Sequence, residues 1–361
     1  MNQSLQYINV FTYLSLLFLI LFSTIKVKDN IITRIISIAI LVMVLGILPS
    51  FRTIYYGDTA NYYDYYVNYF EIARFEYLFS QVSLFSHYIG FDFLSYITSI
   101  SILTSFLYVY SLHKVSRVCD IKVKCFIYAT LSSLVFFSYF YMTFEAIRDG
   151  ISTSVIILSL YYLSFNKKKT FILLVFVSSL FHKASLLFFP LIFIGVFKKL
   201  KPNNYLILFI LAICFSFVLK GFILNLSFLG DKIIYLLDFY SQDRVLSKTV
   251  LIRYILIFII SLIFLKSHKS SNEVDYKIVE SILFITIIFT FFYSFPDMYR
   301  RLLLKLEFIS YPILIMVYLN RLSGRIKYFY FSIFISIYYI LFMSNYYSYY
   351  MLLNIKPVSS L

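Results

Sequence analysis

The chain has 361 residues, of which 61% are hydrophobic, 22% aromatic and only 14% charged, with a formal net charge of +15. Soluble domains hold about 45–50% apolar and about 25% charged residues, so both departures exclude an ordinary soluble fold and point to a membrane. The positive charge does not indicate nucleic acid, because the lysines and arginines punctuate apolar runs, as topology signals do.

In chain order, apolar runs lie near 7–25, 35–51, 91–112, 125–144, 150–165, 171–197, 204–229, 249–265, 278–295, 302–320 and 326–344. Lipid offers the backbone no hydrogen-bond partner, so only helices and closed barrels cross it, and runs this long and continuous are helices. Met1–Tyr7 has no basic n-region and no small-residue cleavage site, so the first run is expected to remain as a span. The reading is all-α: a polytopic transmembrane bundle of about 10 full spans plus one broken hairpin. With no internal repeat of fixed period and no low-complexity linker, 1–361 reads as a single integral membrane domain.

Basic residues in the short connections set the orientation. Lys26, Lys28 and Arg34 mark the first connection as cytoplasmic, Lys114, Arg117, Lys122 and Lys124 the third, and Lys167, Lys168 and Lys169 the fifth. Lys266, Lys269 and Lys277 mark a later one, and Arg321, Arg325 and Lys327 the last. The acidic or mixed loops 52–90, 145–149, 231–248 and 296–301 then fall outside, as does the N-terminus. One run breaks the alternation: 171–197 has basic clusters before it and after it, at Lys198, Lys199 and Lys201. Beside the alternative of a single long tilted helix, a hairpin turning at Phe181-His182-Lys183-Ala184 keeps both clusters inside, with arms of about 10–15 residues, roughly 15–22 Å each. Its tip then lies near the outer face, where irregular backbone is tolerated beside a protein-lined or watery cavity. Cys119, Cys125 and Cys214 follow no metal-ligand spacing, and two of them flank a basic cytoplasmic loop, so no structural disulfide is expected.

Ionisable residues at membrane depth are costly, and each is a functional candidate. The first group is Arg52, then Gly57-Asp58-Thr59, which reads as a turn into a helix, followed by Tyr62, Tyr63, Asp64, Tyr65 and Tyr66. Tyrosines with carboxylates and an arginine suit a sugar, with rings against sugar faces and acids accepting hydroxyl hydrogen bonds; most of these tyrosines read first as an interfacial aromatic belt, whereas Arg52 and Asp58 read first as functional. The second group is Glu145, Arg148, Asp149 and Gly150, in which Glu145 shares a helical face with Arg148 and Asp149. Arg148 has the planar, permanently charged fork that matches phosphate oxygens. The third group is His182-Lys183 at the hairpin tip, and the fourth is Asp297, Tyr299, Arg300 and Arg301. Tandem arginines on the outer side run against the positive-inside rule, which suggests an anionic partner or lipid phosphates. The chain has no P-loop, no His-Glu-x-x-His, no zinc cluster and no Asp-x-Asp in an outward loop, so neither metal nor cofactor is expected.

An arginine after the second span, Gly57-Asp58-Thr59 followed by spaced tyrosines, Ile147-Arg148 at the start of a span and Phe181-His182-Lys183-Ala184-Ser185 together resemble the EpsG-like branch of Wzy-type polysaccharide polymerases. The hydropathy pattern matches over nearly the whole chain. The family usually has Arg-Gln where this chain has Arg148-Asp149. The resemblance implies a membrane glycosyltransferase at the outer face of the bacterial inner membrane. It would join oligosaccharide repeat units carried on undecaprenyl pyrophosphate, with a chain-length regulator as partner. It implies Arg148, Arg300 and Arg301 as stabilisers of the pyrophosphate leaving group, with Arg52 as a further candidate. Asp58 and His182 become the candidate bases for the acceptor hydroxyl, with Lys183 adding charge near the phosphates and Tyr62 contacting the glycan. The alternatives are a lipid-linked oligosaccharide flippase, an O-antigen ligase and a polysaccharide acyltransferase. Missing duplicated halves count against the first, the early position of the longest outer loop against the second, and the tyrosine-rich loop against the third.

Overall fold

The fold comes from a computed structural model that describes residues 19, 21, 22, 25–47, 58–68, 75–194, 200–224, 248–267, 273–322, 324 and 326–338. The helices in chain order are α1 (Ile31–Ile47), α2 (Asp58–Val67), α3 (Tyr77–Tyr88), α4 (Phe93–Val118), α5 (Val123–Ser132), α6 (Phe137–Phe140), α7 (Ile147–Ser164) and α8 (Lys168–Phe181). A 3-10 segment, Lys183–Phe193, separates these from α9 (Pro202–Leu224), α10 (Lys248–Ser267), α11 (Glu273–Thr290), α12 (Pro296–Arg321) and α13 (Ile326–Tyr338). No strand occurs among the described residues.

Among the described residues, four helices are long and apolar enough to cross a membrane: Phe93–Val118, Asn203–Gly221 within α9, Lys248–Ser267 and Pro296–Arg321. Large apolar side chains stand fully outward on several helices, including Ile32, Ile36 and Ile40 of α1 and Ile207, Leu211 and Phe217 of α9. Apolar exposure on that scale is foreign to a protein in water and natural for one in lipid.

The residues divide into two compact units, 1–186 with 311–361, and 187–310. In the first, α1 packs on α4, α4 on α7, and α7 on α8. Gly46 permits the first contact, since a Cβ there would stand 3.0 Å from the Ile102 Cα. Asp92 starts α4 by accepting from the Ser95 N–H at 2.8 Å, an N-cap that satisfies one of the orphaned amides. Asp120 (φ 49°) and Asn166 (φ 59°) end α4 and α7 in left-handed turns. The next amide in each bonds back five residues, Ile121 to Ser116 and Lys167 to Tyr162. The buried Arg34 guanidinium seals the first of these ends by donating to Ser116 Oγ (3.0 Å) and the Ile121 carbonyl (2.7 Å).

The second unit is built from α9, α10, α11 and the start of α12. Its core contains a salt bridge in which Arg253 Nε meets Glu307 Oε1 at 2.6 Å and a second contact joins the other two ends of the forks. Nearby side chains include the parallel Tyr254–Tyr299 ring stack at 4.0 Å, and Tyr205 donates to the buried Glu280.

Several sequence expectations need correction. Loop 52–90 is not an open outer loop where it is described: it contains α2 and α3, because aromatic residues recur at helical spacing and can be buried together. Tyr62, Tyr65 and Tyr66 are at most 4% exposed and form neither an interfacial belt nor an open sugar platform. The run 125–144 is not one helix; α5 stops at Ser132, a 3-10 turn follows, Phe136 is extended, and a π turn at Tyr141–Glu145 leads to α7. The hydroxyl of Ser132 bonds back to the Ala129 carbonyl (2.6 Å), an alternative to helix continuation that hydropathy does not register. Segments 145–149 and 296–301 are not loops either, since Ile147–Asp149 open α7 and Pro296–Arg301 open α12. Residues 7–18, Arg52, Gly57 and most of 231–248 lie outside the described residues.

Candidate functional site

The run at 171–197 is interrupted where the sequence places its turn. α8 ends at Phe181, and His182 adopts extended backbone (φ −157°, ψ 116°) before the 3-10 segment begins at Lys183. Ser178 Oγ donates to the Ser152 carbonyl at 2.8 Å, fixing the register of α8 against α7. That register brings His182, four residues past Ser178, level with Asp149, three residues before Ser152. The imidazole Nε2 stands 2.6 Å from Asp149 Oδ1.

A third element completes the arrangement. Glu76 precedes α3 in extended backbone, and its side chain does not cap its own helix. Instead its carboxylate reaches across the unit, with Oε2 2.5 Å from Arg148 Nη1 and Oε1 3.1 Å from His182 Nδ1. The Lys183 backbone N–H donates weakly to the same Oε1 at 3.4 Å. Arg148, His182 and two carboxylates, from α3's start, α7 and the α8 break, thus share one small volume. Asp149 also benefits from the positive end of the α7 dipole.

The guanidinium of Arg148 lies on an aromatic floor, 4.3 Å from the Phe75 ring centroid and 5.9 Å from those of Tyr62 and Phe79. These cation–π contacts hold the planar group from below while Glu76 holds its edge. The floor is itself rigid: Tyr62 packs against Phe75 and Phe79 at 5.5 Å each, and Tyr66 stacks on Tyr96 at 4.2 Å. Tyr96 shares a 2.6 Å hydrogen bond with Ser83, and Tyr66 donates to the Phe91 carbonyl at 2.7 Å. Burial pushes the Tyr62 hydroxyl up to about 12 despite the opposing charge of Arg148, so it stays a neutral phenol. Burial would also raise Glu76, but the His182 hydrogen bond and the Arg148 charge override it and hold the carboxyl down at about 2.

The cluster is not sealed. Side-chain exposure is 25% for His182, 19% for Arg148, 12% for Asp149 and 11% for Glu76. Gly150 makes the geometry possible from behind. A Cβ there would meet the Met142 carbonyl oxygen at 2.2 Å, so only glycine lets the π turn pack against the first turn of α7. Such π turns recur at functional positions in helices. No grouping of His, Cys, Asp or Glu among the described residues is arranged to hold a metal ion.

Of the residues singled out from sequence, Arg148, His182 and the backbone of Lys183 meet here, and Tyr62 lies beneath them. Asp58 opens α2 and accepts from Asn61 Nδ2 at 3.4 Å. Arg300 and Arg301 belong to the second unit; Arg300 is 3.9 Å from Asp297, and Arg301 is exposed. Glu145 does not supply the carboxylate facing Arg148, which comes from Glu76 instead. Glu76 carries no sequence motif; its only signal is a lone acidic residue directly before an aromatic helix. Asp149, grouped from sequence with Glu145 and Arg148, lies against His182.

The fold and site therefore define a multi-pass helical membrane protein with a charged cluster beside an aromatic core. The family model for the EpsG family matches residues 34–357, and the chain belongs to that family. No curated protein and no solved structure matches it.

Proposed function

We propose that this protein polymerises oligosaccharide repeat units carried on undecaprenyl pyrophosphate into O-antigen or capsular polysaccharide, working as one membrane domain of about 10 crossings at the outer face of the inner membrane. The observation that supports this most is the meeting of Arg148 and His182, 34 residues apart, on the single carboxylate of Glu76. Family membership supports a polymerase-like membrane protein of polysaccharide synthesis.

In the proposed reaction an acceptor hydroxyl oxygen on the incoming unit bonds to the anomeric carbon of the growing chain. The bond from that carbon to the pyrophosphate oxygen breaks, and its electron pair leaves with the lipid pyrophosphate. The hydroxyl proton passes to a base, for which Asp58 and His182 are the candidates. Arg148 faces the charge that develops on the leaving oxygens, held in advance by Glu76 and the aromatic floor, so little reorganisation is needed as the charge appears. Arg300, Arg301 and Arg52 are assigned to the diphosphate and lipid side, and Lys183 to charge near the phosphates. The broken run at 171–197 would return both flanking basic clusters to the cytoplasm with His182 at the outer tip. A chain-length regulator is the expected protein partner.

The test replaces the gene by Arg148→Ala and Arg300→Ala alleles with protein levels checked. Single repeat units in place of long polymer are expected from both, whereas full-length polymer contradicts the scheme. A flippase defect would instead leave repeat units on the cytoplasmic side, and a ligase defect would leave polymer untransferred.

A further inference from the structure

We propose that His182 is held as an imidazolium by two carboxylates and acts as a cationic positioning hub that does not accept the acceptor's proton. What decides the state is which ring nitrogens can hold a lone pair against a carboxylate. A neutral imidazole has one N–H and one lone pair, so it can donate to only one acceptor. Here both ring nitrogens face carboxylate oxygens, Nδ1 at 3.1 Å from Glu76 and Nε2 at 2.6 Å from Asp149. The Nδ1 contact is a hydrogen bond and the Nε2 contact an ion-pair approach, and a bare nitrogen lone pair turned on either ionised oxygen would be repelled, so both contacts are favourable only when both nitrogens carry hydrogen.

The surroundings agree with that count. Glu76 comes from the start of α3, Arg148 and Asp149 from the first turn of α7, and Lys183 follows on the same segment, with Tyr62 of α2 neutral beneath Arg148. Glu76 and Asp149 both lie against the imidazole, and a positive charge on His182 answers them. A general base needs a nitrogen lone pair turned toward the substrate, as in a triad where only one nitrogen is tied to an acid. His182 has none to spare, which leaves Asp58 as the proton acceptor in the proposed reaction. As a hub, His182 spans Glu76 and Asp149 and so keeps Arg148 at a fixed place above its aromatic floor.

The role in catalysis rests on the polymerase reading; the protonation state does not. Ring nitrogen-15 NMR of the full-length protein in lipid bilayers, labelled at its four histidines and assigned with His182→Gln, reads that state directly. At about pH 8, where a histidine of ordinary pKa (about 6.5) is neutral, both His182 nitrogens are expected to be protonated. Glu76→Gln and Asp149→Asn, singly or together, should return the ring to its neutral form at that pH. A neutral wild-type His182 there overturns the proposal, as does an imidazolium that survives the double substitution. The role is read from turnover of lipid-linked repeat units extracted from a strain deleted for this gene. The wild-type pH–rate profile should lack an acid-side limb near about pH 6.5, and His182→Arg should outperform His182→Gln. A limb there, or equal inactivity of folded His182→Arg and His182→Gln, overturns the positioning role. A wild-type protein that forms no polymer refutes the polymerase reading instead and leaves the NMR result standing.

Discussion

Two charged groupings, one in each unit, are built from the same side chains and reach opposite states. In the second unit Arg253 and Glu307 are 2% and 0% exposed and face each other fork to fork. In the first, Arg148 shares Glu76 with His182, His182 is shared with Asp149, and every member keeps part of its surface open. A bidentate pair buried on all sides offers no surface to a ligand. A branched, partly open set keeps donors on Arg148 available and holds them in place. The closed pair is a fixed point of the helix packing, and the open cluster is where chemistry can occur.

Breaking the closed pair on one side should have the largest effect on stability. Glu307→Ala leaves Arg253 buried without its partner and should cost about 3–5 kcal/mol, whereas replacing both by Met and Leu should be near neutral. Thermal unfolding in detergent distinguishes the two, and equal losses would show the pair to be more than a packing element. In the open cluster the main effect should fall on turnover: Arg148→Ala should lower polymer formation by roughly 10²–10³-fold, about 2.7–4 kcal/mol, with little loss of folded protein. Gly150→Ala comes next. Its methyl would force the Met142 carbonyl away, costing about 1–3 kcal/mol and shifting Arg148 and Asp149 together, so stability and polymer yield should fall in parallel.

The smallest effect is a pH dependence. Glu76 is depressed from an ordinary 4.5 to about 2, so its contribution is fully present above pH 4.5 and is lost as pH falls through about 2. The wild type should unfold at higher temperature than Glu76→Gln near neutrality, by on the order of 1–2 kcal/mol, and the gap should close across that acid window. A gap unchanged at low pH would mean that the carboxylate charge contributes nothing.

The same comparison shows what the sequence could reveal. Hydropathy located most of the helices, and the paired basic clusters around 171–197 called for a break, which falls at His182 within the expected turn Phe181-His182-Lys183-Ala184. Arg148 stood out because an arginine at the start of an apolar run is costly without a purpose. Arg253 and Glu307 also interrupt apolar runs, but neither is singled out by the sequence, and their partnership is a tertiary fact. Glu76 was not legible: it lies in a stretch where charge is cheap, and its importance arises only when α3's start, α7 and the α8 break converge. The tyrosines of α2 were misread because an aromatic belt and an aromatic core share one composition, and only packing separates them.

Glu76 is also the residue on which the account turns, because structure alone nominates it. The direct measurement is the polysaccharide profile of a strain carrying Glu76→Ala, with the protein confirmed at wild-type abundance in the membrane. Loss of the shared carboxylate should free Arg148 and His182 from each other and leave single repeat units in place of polymer. Polymer of wild-type length and amount from that strain would contradict the claim that this cluster is the working site.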